Sequence, residues 1–214
     1  MIPNKIILTW KDHRVPEYVF DNIKNLNPDK EIVFFEDKDC RKFLKEEYGD
    51  SFVKHFDEEK SGCFKADFFR YAYLYKNGGH YTDIDIEYQV PISEFLPKEL
   101  EFFSFRSAIF PTHIFQAILY VRPQHKIIEN CLNDMVRNKP NFFDPQPPHV
   151  GTPTERMFQN FISYYKANDQ AKLDLGQEME LKGRYGCVYN NVLIAHSRYE
   201  TYKQGQCFTD WKEQ

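Results

Sequence analysis

The chain has 214 residues, of which 42% are hydrophobic and 17% aromatic. This length favours one large domain over two small ones, and such a domain buries its apolar surface without disulfides or structural metals. The formal net charge of −4 gives no basic excess to follow a phosphate backbone, which argues against nucleic-acid binding.

The cysteine pattern and the apolar runs indicate a cytoplasmic protein. No Cys-x-x-Cys pair is present, which favours free thiols in a reducing compartment over a zinc ribbon or a redox motif. The first apolar run is too short for a signal peptide, and no run approaches the ~20 residues of a membrane span. The five cysteines are Cys40, Cys63, Cys131, Cys187 and Cys207.

The first part of the chain alternates between strand and helix patterns. Residues 5–10 and 31–37 are short apolar runs rich in β-branched or aromatic side chains, which predicts strands. Residues 16–27 and 38–47 have helical spacing. This β-α-β-α order predicts a mostly parallel sheet covered by helices.

Residues 61–77 carry the clearest helical pattern in the chain. Ser61 is the expected N-cap, and Gly78 and Gly79 end the helix where φ must become positive. The next strand is predicted over residues 80–86. The expected buried stripe of the helix consists of Phe64, Phe68, Tyr71, Ala72 and Tyr75.

The later part of the chain contains a proline-rich segment that ends in a helix start. Residues 139–155 hold five prolines and are predicted to be irregular. Thr152 and Glu155 have the spacing of a capping box, with proline at the first helical position, so a helix is predicted over residues 153–166. The other predicted elements are strands at 101–106, 116–122 and 188–197 and a helix at 124–137.

The predicted strand 80–86 contains two aspartates, and placing two carboxylates on one strand face costs free energy. Strand side chains alternate between faces, so Asp83 and Asp85 are expected on one face while Ile84 and Ile86 enter the core. Two carboxylates on one face repel each other unless a cation lies between them, and hard oxygen ligands suit Mg²⁺ or Mn²⁺. The pattern therefore predicts a metal–diphosphate site where this strand ends.

Two alternatives compete with the metal site. Asp-x-Asp also arises by chance as two exposed aspartates at a strand end. The same spacing serves aspartyl-phosphate chemistry, in which Asp83 would be the nucleophile. That chemistry is disfavoured because Ile86-Glu87 follow the pair and no later lysine and Asp-Asp set stands out.

The stretch ADFFRYAYLYKNGGHYTDIDIEY, residues 66–88, resembles the sugar-transferase family with an Asp-x-Asp motif. That family includes yeast-type initiating α-1,6-mannosyltransferases and bacterial capsule enzymes, and a glycosyltransferase sugar-binding region defines it. The residues that carry the resemblance are Ala66-Asp67, Arg70-Tyr71, Leu74-Tyr75, Gly78-Gly79, Tyr81, Asp83 and Asp85.

Weaker similarity extends toward both ends of the chain. IPNKIILTW resembles the family's opening, with Leu8 where histidine is usual. HVGTPTE is similar to a later Thr-Gly-Pro segment with two residues exchanged. The segment 195–211 resembles the family's His-to-Trp tail, although Asp210 replaces the usual serine.

The resemblance implies an α/β protein with a single-domain glycosyltransferase A-type, Rossmann-like fold over residues 1–214. Its central sheet would be mixed but mostly parallel, with helices on both faces. Residues 1–100 would bind the nucleotide sugar, and residues 101–214 would form the acceptor side and the tail. The implied cofactor is Mn²⁺ or Mg²⁺, and the implied donor is a UDP- or GDP-linked sugar.

The resemblance also implies roles for individual residues. Asp85 would bind the metal, with Asp83 reaching toward the metal, the ribose and the donor sugar, and His196 is a candidate third ligand. Asp67 and Arg70 lie three residues apart, so they share a helix face, and would contact the ribose and the sugar hydroxyls. Catalysis would rest on Asp83, Asp85 and Arg70.

Further donor contacts are expected around the carboxylates. Trp10 can border the nucleobase, Tyr81 can line the pocket, and Trp211 can close over the diphosphate from the tail. For each, simple packing is the alternative. The full expected donor set is Thr9, Trp10, Asp67, Arg70, Tyr81, Asp83, Gly151, Thr152 and Trp211.

The predicted function is metal-dependent transfer of a hexose from a nucleotide-diphosphate donor to a hydroxyl of a glycan or other acceptor, with retention. The expected partners are therefore a nucleotide sugar and a glycan acceptor. The alternative is a non-catalytic module that binds nucleotide sugars or glycans on the same fold.

Overall fold

The computed structural model describes residues 2–137 and 151–198, which form nine strands and seven helices. The strands are β1 (Lys5–Trp10), β2 (Glu31–Glu36), β3 (Gly79–Thr82), β4 (Ile86–Tyr88), β5 (Phe102–Arg106), β6 (Ile114–Val121), β7 (Leu173–Leu181), β8 (Arg184–Tyr189) and β9 (Val192–Ser197). The helices are α1 (Glu17–Leu26), α2 (Asp37–Tyr48), α3 (Asp50–Glu58), α4 (Gly62–Asn77), α5 (Ile92–Phe95), α6 (Lys126–Arg137) and α7 (Pro153–Ala167).

The strands form one mixed sheet in the order β2-β1-β3-β6-β5-β7-β8-β9-β4. The pairs β1–β2, β1–β3 and β5–β7 are parallel. The pairs β3–β6, β5–β6, β7–β8, β8–β9 and β4–β9 are antiparallel. The mixed α/β architecture is confirmed, but the prediction of a mostly parallel sheet is wrong.

The excess of antiparallel pairs arises in the second half of the chain, where hairpins replace helical crossovers. The single strand predicted over residues 188–197 is two strands, β8 and β9, joined at Asn190 and Asn191. Both asparagines have positive φ, 49° and 64°, as two-residue hairpin turns require. Strand β7 was not predicted at all.

Apolar side chains pack on both faces of the sheet. In β1, Ile7 joins a cluster with residues of α2, α3, α4, α6 and α7. Its neighbours Ile6 and Leu8 join a second cluster with residues of α1 and α5. Since successive strand residues point to opposite faces, helices cover both faces of the sheet.

Helix α4 is largely buried. Four of the five residues in its predicted stripe are buried, and Tyr75 is partly buried. Ser61 occupies the N-cap position, but it makes no side-chain capping bond, so that detail of the prediction is wrong. Its Oγ lies 2.8 Å from Cys63 Sγ instead.

Within residues 2–137 and 151–198, no helix combines the length and apolarity that a membrane span requires.

We expect Gly78→Ala to destabilise the fold more than Gly49→Ala. Both glycines end helices in nearly the same conformation, with φ 65° and ψ −168° at Gly78 and φ 83° and ψ −178° at Gly49. An added Cβ at Gly78 would lie 2.6 Å from Pro123 Cδ and 2.8 Å from the Val121 carbonyl oxygen, whereas nothing lies within 4 Å at Gly49. Backbone strain costs each variant about 1–3 kcal/mol.

Because the clash at Gly78 is added to that strain, we expect Gly78→Ala to lose a further ~1–3 kcal/mol. Urea unfolding of the two variants measures the difference. Equal losses would show that the close approach of Gly78 to the segment after β6 is not what requires glycine there.

Candidate active site

Asp83 and Asp85 lie in a turn between β3 and β4, not within the continuous strand that was predicted. The Ile86 N–H donates to the Asp83 carbonyl oxygen at 3.2 Å. The chain breaks here because β3 pairs with β1 and β6 whereas β4 pairs with β9. The same-face argument from strand alternation therefore fails, although Ile84 and Ile86 are buried as predicted.

A cavity of about 870 Å³ gathers most of the predicted site residues. It opens where the parallel strands β1 and β3 end, and the first half of α4 and the start of α7 also line it. Ligands bind at such carboxyl ends of strands in α/β sheets. The predicted residues that line the cavity are Thr9, Trp10, Asp67, Arg70, Asp83, Asp85 and Thr152.

Arg70 is the hub of the polar contacts in this cavity. Its Nη1 donates to the Gln116 carbonyl oxygen at 2.7 Å. Its Nη2 lies 3.1 Å from Asp83 Oδ1 and 3.3 Å from Asp67 Oδ1. The guanidinium carbon also lies 4.3 Å from the centre of the Tyr81 ring. The predicted i, i+3 pair on α4 is therefore a buried ion pair that includes Asp83.

Burial and charge act against each other in this network. Burial, the largest single effect, lowers the pKa of Arg70, but Asp83, Tyr81 and Asp67 together outweigh it. The pKa therefore lies above its ordinary value, and the guanidinium stays charged. Burial raises the pKa of Asp67 to about 6, against the opposing effect of Arg70. One cation thus holds two carboxylates in a fixed arrangement.

The Asp85 carboxylate is buried, and the described residues do not fully hydrogen-bond it. Its side chain is buried, with 9% of the residue exposed, and Oδ1 has no hydrogen-bond partner among the described residues. Burial, followed by the charge of Asp83, raises the pKa of Asp85 to about 7. A buried, unsatisfied carboxylate oxygen beside a second carboxylate fits a divalent cation.

The ligand set available for a cation is small. No group of three or more His, Cys, Asp or Glu side chains suited to a metal occurs within residues 2–137 and 151–198. Asp83 and Asp85 both line the cavity and could hold an ion there. Mg²⁺ and similar ions are commonly held by one or two carboxylates, with water and substrate phosphates completing the shell.

Tyr81 lies beneath the site and supports Asp83. Its residue is 1% exposed, and its hydroxyl donates to Asp83 Oδ1 at 2.8 Å. The same hydroxyl lies 3.0 Å from Thr9 Oγ1. Tyr81 thus links the end of β1 to the aspartate turn, and it orients Asp83 from below the cavity.

Two residues of the predicted donor set, Gly151 and Thr152, lie at the start of α7. Thr152 Oγ1 accepts a hydrogen bond from the Glu155 N–H at 3.3 Å, which confirms the predicted cap. The Gly151 N–H donates to Glu155 Oε2 at 2.6 Å. The Gly151 N–H is therefore occupied, and its contact with a donor stays a prediction.

The structure does not bring His196 into the cavity lining. His196 pairs across the sheet with Glu87 and Gly186 and is not among the cavity-lining residues, so its role as a metal ligand stays a prediction. Trp211 lies outside the described residues.

Several cavity residues were not predicted. Gln116 accepts a hydrogen bond from the Tyr71 hydroxyl through Oε1, and its Nε2 is buried without a partner among the described residues. Glu178, on the unpredicted strand β7, lines the same cavity, as do Ser107 and His113 from the β5–β6 loop. Only the tertiary fold brings these residues to the site, since nothing in their local sequence marks them.

Comparison with known proteins places the aspartate turn in a family. The family described as glycosyltransferase sugar-binding region containing DXD motif covers residues 13–102. An uncharacterized glycosyltransferase of Acanthamoeba polyphaga mimivirus is 25% identical over 215 residues, which span 94% of this chain and 84% of that protein.

Two further proteins are similar. Inositol phosphoceramide mannosyltransferase 3 of Schizosaccharomyces pombe is 36% identical over 88 residues, or 40% of this chain and 24% of that protein. The similar segment thus spans about a quarter of the yeast protein. The structure of the PaToxG glycosyltransferase superposes with a TM-score of 0.52 and 17% identity over 78% of this chain and 70% of that chain, which shows similarity of fold.

The aspartate turn, Asp67 and Arg70 all lie inside the region that the family covers. Residues 13–102 therefore match the glycosyltransferase sugar-binding region that contains a DXD motif, and the family resemblance predicted from the sequence is confirmed.

Proposed function

We propose that this chain is a metal-dependent glycosyltransferase that moves a hexose from a nucleotide-diphosphate donor to a hydroxyl acceptor. The observation that carries the proposal is a buried Asp85 oxygen, without a hydrogen-bond partner among the described residues, beside Asp83 in a cavity of about 870 Å³. That volume lies within the ~300–1,000 Å³ typical of small-molecule sites.

The charges along the cavity support an anionic donor. Lys11, Lys60 and Lys65 line it on the side formed by β1 and the start of α4. These cations suit a diphosphate, and Trp10 offers a flat apolar face for a base. We place the nucleotide on this side, within residues 1–100 of a single glycosyltransferase A-type domain.

Asp85 and Asp83 would hold Mn²⁺ or Mg²⁺. When bound, such an ion neutralises the charge of a diphosphate leaving group.

The chain's own residues would position the donor and the acceptor hydroxyl and exclude water from the cavity. Arg70 fixes Asp83 and Asp67, and the Tyr81 hydroxyl holds Asp83 from below. Asp67, 8% exposed and lining the cavity, is placed to accept hydrogen bonds from donor hydroxyls. Holding the donor and an acceptor hydroxyl together makes the transfer effectively unimolecular, which is the main source of rate that this arrangement offers.

Two finer parts of the proposal rest on the family resemblance. These are the retention of anomeric configuration and the assignment of residues 101–214 to the acceptor side. The name of the yeast relative, a mannosyltransferase, supports a hexose as the transferred group. The acceptor is proposed to be a glycan or another hydroxyl compound.

We expect Asp85→Ala to weaken Mn²⁺-dependent binding of a nucleotide sugar by at least ~100-fold. Changes in partners of metal ligands already cost 10–100-fold, so loss of a direct ligand should cost more. Isothermal calorimetry with UDP-glucose and GDP-mannose, each with and without Mn²⁺, measures the effect. Asp57→Ala is the control, because Asp57 is exposed and pairs with Arg41 outside the cavity.

Unchanged donor affinity in Asp85→Ala would refute the metal assignment. If neither donor binds the wild-type protein in Mn²⁺, the proposed function itself fails. Binding without hydrolysis or transfer would favour a non-catalytic nucleotide-sugar module.

A further inference from the structure

A buried amide side chain lines the cavity on the strand β6, next to the aspartate turn. Gln116 is 3% exposed and is one of the cavity-lining residues. Its Oε1 accepts a hydrogen bond from the Tyr71 hydroxyl, whereas its Nε2 is buried and has no hydrogen-bond partner among the described residues. Buried polar side chains nearly always have a partner, so we expect a water or a ligand in the cavity to supply the missing one.

One polar atom of Gln116 lacks a protein partner in either orientation of the amide. The Tyr71 hydroxyl also lies 3.3 Å from the Pro153 carbonyl oxygen. With the amide turned over, this hydroxyl would donate to Pro153 and accept from Nε2, and Oε1 would then be the atom without a partner among the described residues. A ligand hydroxyl suits both orientations, because it can donate and accept, whereas a phosphate oxygen only accepts.

The sheet order places Gln116 on the side of the aspartate turn away from the proposed nucleotide. Strand β3 leads into the turn and lies between β1 and β6. Lys11, which follows β1, lines the nucleotide side of the cavity. On the other side, the Asp83 N–H donates to the Ala117 carbonyl oxygen at 2.8 Å, and Arg70 Nη1 donates to the Gln116 carbonyl oxygen at 2.7 Å. In a nucleotide sugar the diphosphate separates the base from the sugar, so a diphosphate at the aspartates leaves the sugar on the Gln116 side.

We propose that Gln116 binds the transferred sugar and that its amide hydrogen-bonds one of the sugar hydroxyls. This inference rests on the proposed glycosyltransferase function and adds a specificity-determining residue to it. An amide that finds its partner only in the sugar discriminates against a donor that lacks a hydroxyl at that position, because the amide is then left buried and unpaired. Gln116 would thus select the sugar, while the nucleotide is held by β1 and the start of α4.

Isothermal calorimetry in Mn²⁺ with two matched pairs, UDP with UDP-glucose and GDP with GDP-mannose, isolates the contribution of the sugar. For the pair that binds the wild type, we expect Gln116→Met to weaken the nucleotide sugar about three- to tenfold and to change the affinity for the nucleotide diphosphate by less than about twofold. Methionine keeps the length of the side chain and leaves the Tyr71 hydroxyl its contact with Pro153. Gln159→Met is the matched control, because Gln159 is exposed on α7 and bonds Glu155 outside the cavity lining.

The outcomes separate this inference from the proposed function. Equal affinity of wild type and Gln116→Met for the nucleotide sugar overturns the inference and assigns the amide a buried water instead. An equal loss for the nucleotide diphosphate overturns it as well, because Gln116 would then act on the diphosphate or through Arg70. If neither UDP-glucose nor GDP-mannose binds the wild type, the proposed function fails and the inference fails with it.

Gln116→Asn keeps the test valid if Gln116→Met does not fold. Asparagine retains an amide at this buried position, but it is one methylene shorter and cannot keep the Tyr71 bond while it reaches the sugar. We expect the same selective loss of affinity for the nucleotide sugar, and binding of the nucleotide diphosphate reports that the variant is folded. Unchanged nucleotide-sugar affinity in Gln116→Asn would count against the inference in the same way.

Discussion

Replacing Arg70 with methionine is expected to lower the free energy of unfolding by about 3–5 kcal/mol at pH 7, because it leaves the buried Asp67 and the partly buried Asp83 without their cation. The Arg70 side chain is 5% exposed and lies 3.1 Å from Asp83 Oδ1 and 3.3 Å from Asp67 Oδ1. Methionine keeps most of the volume, so the loss reports on charge and hydrogen bonds rather than on a cavity. Urea unfolding at pH 7 measures it.

Arg41→Met is the matched control for this effect. Arg41 pairs with Asp57, but their side chains are 43% and 42% exposed, so the pair contributes at most about 1 kcal/mol. The loss in Arg70→Met should also shrink toward pH 5, since Asp67 already has a pKa of about 6 and protonation removes its unpaired charge. Equal losses at both arginines would mean that the Arg70 network adds nothing to stability.

Five elements of the first half could be predicted because each has its own local signal, whereas the helices α3 and α5 were not predicted. The patterns at β1, α1, β2, α2 and α4 combine clear periodicity with a glycine, proline or charged boundary. The strand β7 lacks such a signal, since LDLGQEMEL mixes apolar and charged residues and only Gly176 and Glu178 in it are buried. Its position depends on parallel pairing with β5, which no local pattern reveals.

The candidate site was only partly predictable for the same reason. Asp67, Arg70, Asp83 and Asp85 are close in sequence and share one helix–turn–strand unit, so a resemblance over residues 66–88 was enough to group them. Their geometry could not be predicted, because pairing with distant strands breaks the predicted strand between Thr82 and Ile86. Glu178 and Gln116 reach the cavity only through that long-range pairing.

Replacing Asp85 with asparagine is expected to raise the free energy of unfolding at pH 7.5 by about 2–4 kcal/mol. Burial and Asp83 raise the pKa of Asp85 to about 7, above the ordinary value of 3.8. The folded protein therefore keeps a proton that the unfolded chain releases between those values. Stability from this group is lost as pH rises from about 4 to 7, and asparagine removes the loss.

Urea unfolding of wild type and Asp85→Asn between pH 4.5 and 8 tests the sign. The two curves should nearly meet at the acid end and separate as pH rises. Mn²⁺ at 1,000 times its dissociation constant should then cancel or reverse this difference, because it stabilises the wild type by ~4.1 kcal/mol, whereas the variant has lost a ligand. A variant less stable than wild type without metal at pH 7.5 would mean that the fold already satisfies Asp85, leaving the cation no charge to neutralise.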